Sequence, residues 1–149
     1  MPNQRTLVLC KPDAVQRGVV GRIVARFERK GLKIAGLKML TVDADLASRH
    51  YAEHLKKPFY PELRDFITSS PIVAMAVQGE NAVEVVRNLM GVTNPQNAAS
   101  GTIRGDFGLN LTMNLVHGSD SLASAERELK LFFEPDELFD YELTMRTWM

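Results

Sequence analysis

Asn114-Leu115-Val116-His117-Gly118-Ser119-Asp120-Ser121 runs from a short apolar pair into a histidine, a glycine and three small polar residues. The pair has the character of a strand. The polar run breaks it, and the Ala-, Glu- and Leu-rich segment from Leu122 to Phe133 then has the composition of a helix. Glu128 lies seven positions beyond Ser121, so a helix starting there carries its carboxylate on the second turn, where it could come within reach of the histidine. Two readings of this stretch stand side by side. In one, His117 is a packed or turn residue and Ser119, Asp120 or Ser121 caps the helix. In the other, His117 is a nucleophile, Glu128 orients its ring, and Gly118 lets another group come close.

Upstream, strand and helix signals alternate. Arg5 to Cys10 is a mostly apolar run that ends at Lys11-Pro12-Asp13, where proline has no amide to donate. Val19 to Lys30 places Val19, Ile23 and Phe27 at helical spacing with its charges elsewhere, and Gly31 suits the C-terminal cap. Leu32 to Val42 is a second strand, its lysines pointing to an exposed edge or face and Gly36 to a bulge. Asp43 or Asp45 can cap a helix to about His54, and a second short helix over Glu62 to Thr68 completes a hairpin-like excursion. Ile72 to Val77 is apolar without alternation, as a central strand covered on both faces would be. Asn81 can cap a helix to Met90. From Gly91 to Met113 glycines and small polar residues dominate, which predicts a long ordered loop anchored by Ile103, Phe107, Leu109 and Leu111.

Four strands with helices between them predict an α+β sandwich of the split βαβ type. Its antiparallel sheet carries helices on one face, with a helical hairpin and a long loop before the last strand. A doubly wound parallel sheet is the alternative, but no glycine-rich phosphate turn follows the first strand; Lys11-Pro12-Asp13-Ala14 fits neither the P-loop nor the dinucleotide fingerprint. The 149 residues, without repeats or linkers, predict one domain over 1–149. Eighteen basic and eighteen acidic residues cancel, which argues against nucleic acid as the primary partner while allowing a local basic pocket. The single cysteine, Cys10, fits a reducing compartment, and the first apolar run is too short for an export signal or a membrane span. The cytoplasm is the expected location.

Lys11 at a strand end, Arg87 on a helix and Arg104 in the loop are, one by one, ordinary surface charges. With Thr93 and Asn114 they could form the ammonium and guanidinium cradle that phosphate oxygens prefer. Tyr51 and Phe59 read either as core or as an aromatic slot for a nucleobase. Spacing alone does not bring these groups together.

Several blocks, in order and along nearly the whole chain, resemble the nucleoside diphosphate kinase family: Lys11-Pro12-Asp13 with Gln16-Arg17-Gly18, His50-Tyr51, Lys57-Pro58-Phe59, Thr93-Asn94-Pro95, Gly101 to Phe107 and, above all, Asn114 to Ser121. The resemblance implies a ferredoxin-like βαββαβ core and ping-pong transfer of the γ-phosphate of a nucleoside triphosphate, mainly ATP, to a nucleoside diphosphate of any base. It implies His117 as the residue phosphorylated, on Nδ1, with Glu128 and Ser119 orienting it. It also implies Lys11, Tyr51, Arg87, Thr93, Arg104 and Asn114 on phosphates or sugar hydroxyls, and Phe59 stacked on the base. Mg²⁺ would travel on the nucleotide, with Asp120 touching it through water rather than as a ligand. A homo-oligomer is implied, and the aromatic tail with Phe139, Tyr141 and Trp148 favours a hexamer over a tetramer. The sequence departs from the family at His54, where some relatives have an apolar residue, and at Thr112-Met113, which replaces a frequent Gly-Arg.

Overall fold

Leu7, Val8, Leu9 and Cys10 are all without solvent exposure, so neither face of this strand meets water. They form the inner half of β1 (Asn3–Cys10) in a computed structural model that describes residues 3–149. Chain order continues with α1 (Pro12–Gln16), α2 (Val20–Lys30), β2 (Lys33–Leu40), α3 (Ala44–His50), α4 (Tyr60–Ile67), β3 (Ile72–Glu80) and α5 (Ala82–Met90). The long loop holds α6 (Ile103–Phe107) and leads to β4 (Val116–Gly118) and α7 (Leu122–Phe132).

The sheet has the order β2-β3-β1-β4, and every neighbouring pair is antiparallel. β1 pairs with β3 from Asn3 opposite Glu80 to Cys10 opposite Val73, and with β4 through Leu9 opposite His117. This is the expected α+β, ferredoxin-like arrangement, with Ile72 to Val77 central and β2 at an edge. The side-chain alternation of β1 divides its residues between two cores. Val8 and Cys10 pack with Ile23 and Phe27 of α2 and Val86 and Met90 of α5; Leu7 and Leu9 pack with Ala47 of α3, Ile67 of α4 and Leu129 and Phe132 of α7. The expectation of helices on one face describes only the two βαβ helices. The hairpin and α7 cover the other face, because a strand as apolar as β1 must be shielded on both sides.

Local chemistry explains most boundaries. Gly31 takes φ 101° and, with Leu32, returns amides to Glu28 and Phe27 in a Schellman closure of α2. The pairing of β2 with β3 slips between Ile34 and Gly36, which is the expected bulge; a Cβ at Gly36 would lie 3.0 Å from Phe133 and Leu138 side chains. Asp43 caps α3 by accepting from Leu46 N, and Ser121 caps α7 by accepting from Ser124 N. The helix expected to reach His54 stops at His50 and continues as a 3₁₀ turn over Ala52–His54. Asn81 does not cap α5 with its side chain. Its backbone is left-handed, φ 51°, which removes the extended geometry such a cap requires. Pro12 ends β1 as expected and also opens the one-turn α1, where a missing amide costs nothing.

After α7 the tail runs back along the sheet as a strap. Phe139 N donates to Ala35 O at 2.8 Å and the Tyr141 hydroxyl to Ile34 O at 2.5 Å, so the strap occupies the first half of the β2 edge. Leu37 and Met39 in the other half remain 55% and 62% exposed. Among the described residues no helix is long and apolar enough to cross a membrane. Phe27 is wholly buried between α2 and the sheet. Phe27→Ala is expected to cost about 3–5 kcal/mol, measured by chemical denaturation.

Candidate active site

His117 is delivered to the sheet edge by three residues of β4 paired to β1, and Ser119 N continues that ladder to Leu7 O at 3.2 Å. Across the turn, α7 presents Glu128, which is buried. Its Oε1 lies 2.7 Å from His117 Nε2 and accepts from Ser119 Oγ at 3.0 Å. A carboxylate only accepts, so the proton of a neutral His117 ring sits on Nε2 and the lone pair on Nδ1. The turn therefore presents an imidazole whose free nitrogen is a base or a nucleophile. Gly118 serves packing rather than access: a Cβ there would fall 2.5 Å from Met90 Sδ of α5.

An aromatic row starts beside His117. His50, at the end of α3, meets it edge-on at 4.7 Å between ring centroids, and Tyr51 stands 4.6 Å from His50. Burial, reinforced by His117, Arg127 and Lys11, pushes the His50 pKa down to about 2, so its ring is neutral; neither nitrogen has a hydrogen-bond partner. Burial, with Tyr60 and Glu128, pushes the Tyr51 phenol up to about 12 and keeps its proton in place. The row continues through His54 to Phe59, whose rings lie 5.6 Å apart. Phe59 is 46% exposed, with Lys57 Nζ over its ring 5.6 Å from the centroid. His54, one of the departures, is thus a neighbour of both Tyr51 and Phe59.

The cations gather on the other side of the turn. Lys11 Nζ donates to Asn114 Oδ1 at 2.8 Å, and Asn114 Nδ2 donates to Thr93 O at 3.1 Å. Burial and the nearby Arg104 lower the Lys11 pKa to about 8. Arg104 donates through Nε to Asn114 O, through Nη1 to Gly91 O and through Nη2 to Val116 O. Burial and Arg87 lower its pKa to about 10. Arg87 Nη1 reaches Gly118 O at 3.2 Å. The fold thus joins Lys11, Arg87, Thr93, Arg104 and Asn114 around the stretch that ends in His117. Arg104 also has a duty that its position in a glycine-rich loop did not reveal: it brackets the backbone on both sides of Leu115. Asp120 is exposed, and hydrogen bonds from Ser124 and Ser121, with the Arg87 charge, hold its carboxyl below the usual range.

Leu115 between those carbonyls has φ 75°, and Val116 N bonds to Asn114 O at 2.9 Å, an i to i+2 closure. This is the rare γ-turn, strained for a residue with a Cβ by about 1–3 kcal/mol. Asp13 accepts from Leu115 N at 3.0 Å, and Lys11 N donates to Leu115 O at 2.8 Å. Reasoning from sequence assigned no role to Asp13 or His50; their place inside the Lys11-Pro12-Asp13 and His50-Tyr51 blocks was the available signal.

Ligand atoms of His50, His117 and Glu128 lie within 4.8 Å of one another, a spacing compatible with a metal ion. The surrounding charge opposes it. Lys11 and Arg127 both bear on His50, and Glu128 is the single carboxylate of the trio. A pocket with this field holds an anion better than a divalent cation.

A family profile described as nucleoside diphosphate kinase matches residues 4–138. A nucleoside diphosphate kinase of Archaeoglobus fulgidus is 56% identical over 146 residues, 98% of this chain and 97% of that protein. One of Pyrococcus horikoshii is 57% identical over 141 residues, 93% of this chain and 90% of that protein. Among solved structures, a halophilic nucleoside diphosphate kinase from Halobacterium salinarum in complex with CDP superposes with a TM-score of 0.96 at 51% identity, covering 99% of this chain and 98% of that one. With the fold and these likenesses in agreement over nearly its full length, the chain belongs to the nucleoside diphosphate kinase family.

Proposed function

We propose that the chain moves the γ-phosphoryl group of a nucleoside triphosphate, mainly ATP, to a nucleoside diphosphate through a phosphohistidine on His117. The observation that carries this reading is the 2.7 Å bond from His117 Nε2 to Glu128, which leaves Nδ1 free beside a cationic surround. In the first half-reaction the Nδ1 lone pair attacks the γ-phosphorus, the bond to the bridging oxygen breaks, and the diphosphate leaves with that electron pair. In the second, a terminal oxygen of another diphosphate attacks the same phosphorus and the N–P bond breaks. Positive charge gained by the ring is met by Glu128, which Ser119 holds in place.

Lys11, Arg87 and Arg104 stabilise charge on the transferring group in both directions, and Asn114, Thr93 and the Tyr51 hydroxyl donate to phosphate or sugar oxygens. Three acceptors leave two of the five N–H groups of Arg104 for phosphate. Phe59 offers a stacking face and no hydrogen-bond code, which suits purines and pyrimidines alike; such stacking is worth about 1–3 kcal/mol per base. The CDP bound by the Halobacterium salinarum relative fits a nucleotide pocket of this kind. A resident Mg²⁺ does not match the donors present, since hard oxygen ligands are wanted and Asp120 is the exposed carboxylate at the turn. Mg²⁺ therefore belongs to the nucleotide, with Asp120 acting through water.

The same reading takes residues 1–149 as one domain in a cytoplasmic homo-oligomer. The lone Cys10 is buried, its thiol pushed up to about 12 by burial and Asp13, and needs no oxidising compartment. Exposed Leu37 and Met39 on the β2 edge, and Met113 with Leu109 and Leu111, which are exposed rather than anchoring the long loop as expected, are apolar surfaces that subunit contacts would cover. The hexamer remains favoured over the tetramer because the tail is long and aromatic.

Incubation with γ-labelled ATP is expected to leave an acid-labile, base-stable label on the protein, and any nucleoside diphosphate should chase it off. His117→Ala should take up no such label; persistent labelling of that variant refutes the phosphohistidine route. Lys11 supplies a pH test. With a folded pKa of about 8 it is charged below that value and neutral above it. In the free enzyme kcat/KM for the triphosphate should therefore fall above about pH 8, by about tenfold per unit. Lys11→Gln should lower kcat/KM at neutral pH and remove this alkaline limb.

A further inference from the structure

We propose that Asp13 is a positioning residue for phosphoryl transfer: its carboxylate locks the left-handed γ-turn at Leu115 that sets Asn114 and Lys11 beside His117. The inference rests on the reading of His117 as the phosphoryl acceptor. Leu115 is the one leucine with positive φ among the described residues, and it lies two positions before the histidine. Leucine avoids this conformation, so something outside the residue has to impose it.

Each polar group of the turn is held from a different direction. Asp13 Oδ2 accepts from Leu115 N at 3.0 Å, Lys11 N donates to Leu115 O at 2.8 Å, and Arg104 donates to Asn114 O and to Val116 O at 3.2 and 2.7 Å. Of these, the Asp13 bond fixes the direction of the Leu115 amide. If the residue relaxed to negative φ, that amide would rotate away from the carboxylate and the Asn114–Leu115 peptide would turn with it. Asn114 would then lose its orientation toward Lys11 Nζ, now 2.8 Å away, and toward Thr93. His117 itself would stay seated, because β1 and Glu128 hold it independently. Asp13 therefore governs the geometry between nucleophile and phosphate cradle, not the nucleophile.

Asp13 is buried, and its second oxygen, Oδ1, has no hydrogen-bond partner. A carboxylate kept in so unfavourable a place, where an apolar residue would pack at less cost, is consistent with a duty other than stability. Its neighbours Pro12 and Ala14 are buried too, so α1 is a rigid mount for it.

The test compares Asp13→Ala, Asp13→Asn and the double variant Asp13→Ala/Leu115→Gly in the full-length protein. Rates of label uptake from γ-labelled ATP, nucleotide KM and thermal midpoints are measured for each. Asp13→Ala should slow uptake by about 10–100-fold, the usual penalty for misplacing a reacting geometry by a fraction of an ångström to one ångström. Asp13→Asn keeps an acceptor for the amide and should recover most of that rate. Glycine tolerates positive φ, so the double variant should label at least several-fold faster than Asp13→Ala although loss of the buried leucine lowers its midpoint. Opposite movement of rate and stability is what a merely structural role would not produce.

Labelling of Asp13→Ala within twofold of the parent, or a double variant no faster than Asp13→Ala, overturns the proposal. Should Asp13→Ala fail to fold, Asp13→Asn decides alone: a rate within threefold of the parent supports the lock, and a loss beyond tenfold overturns it. A parent protein that takes no acid-labile label would instead refute the phosphohistidine reading on which the inference stands.

Discussion

The bond between His117 and Glu128 joins the shortest strand of the sheet to the last helix, and the rest of the site is arranged about it. β4 has three residues and cannot hold a side chain rigidly by itself. Its pairing with β1 fixes the backbone of His117; Glu128, buried and shared with Ser119, fixes the ring. The carboxylate must be buried for this, since in water the same contact would be weak and competed for. The second core, built on Leu129 and Phe132 immediately after Glu128, keeps α7 close enough for the contact to persist. Packing on the far face of the sheet is thus a condition of the chemistry.

Electrostatics divide the space around that bond. One flank is neutral and aromatic, with His50 unable to take a proton at physiological pH and Tyr51 unable to lose one. The other crowds three cationic side chains; burial disfavours the charge of Lys11 and of Arg104, and a neighbouring guanidinium adds to it in each case, Arg104 beside Lys11 and Arg87 beside Arg104. Such crowding is unfavourable in the empty pocket and is relieved by an anion. On the proposed reading, that charge repulsion is what a polyphosphate would relieve on binding.

Much of this was legible from residue order. The four strands, the bulge at Gly36, the caps at Gly31, Asp43 and Ser121, and the nearness of Glu128 to His117 all follow from local rules that act over a few residues. The errors have a common cause. Asn81 and Leu115 adopt left-handed backbones that their neighbours do not demand. For Leu115 the demand comes from Asp13, 102 positions away, and no periodicity carries that information. Arg104 looked like a free cation because the carbonyls it binds lie 10 to 13 positions away, at Gly91 on one side and around Leu115 on the other. The hairpin helices and α7 were legible as helices but not as cover for the second face, because the pattern of β1, apolar at every inner position, specifies coverage without saying what provides it.

The sheet order also has a consequence in time. Of the four strands β1 comes first in the chain, yet its partner β4, on the side of His117, comes last, and Lys11 meets Asn114 across 103 positions. Closing a loop of that size is slow compared with helix and hairpin formation, although each added residue costs little. A nascent chain that has folded β1, β2 and β3 has a buried core on one side and an unpaired strand edge on the other, but no assembled cradle. The proposed phosphate site needs both Asn114 beside Lys11 and Glu128 beside His117, so on that assignment it is complete only once α7 has been made.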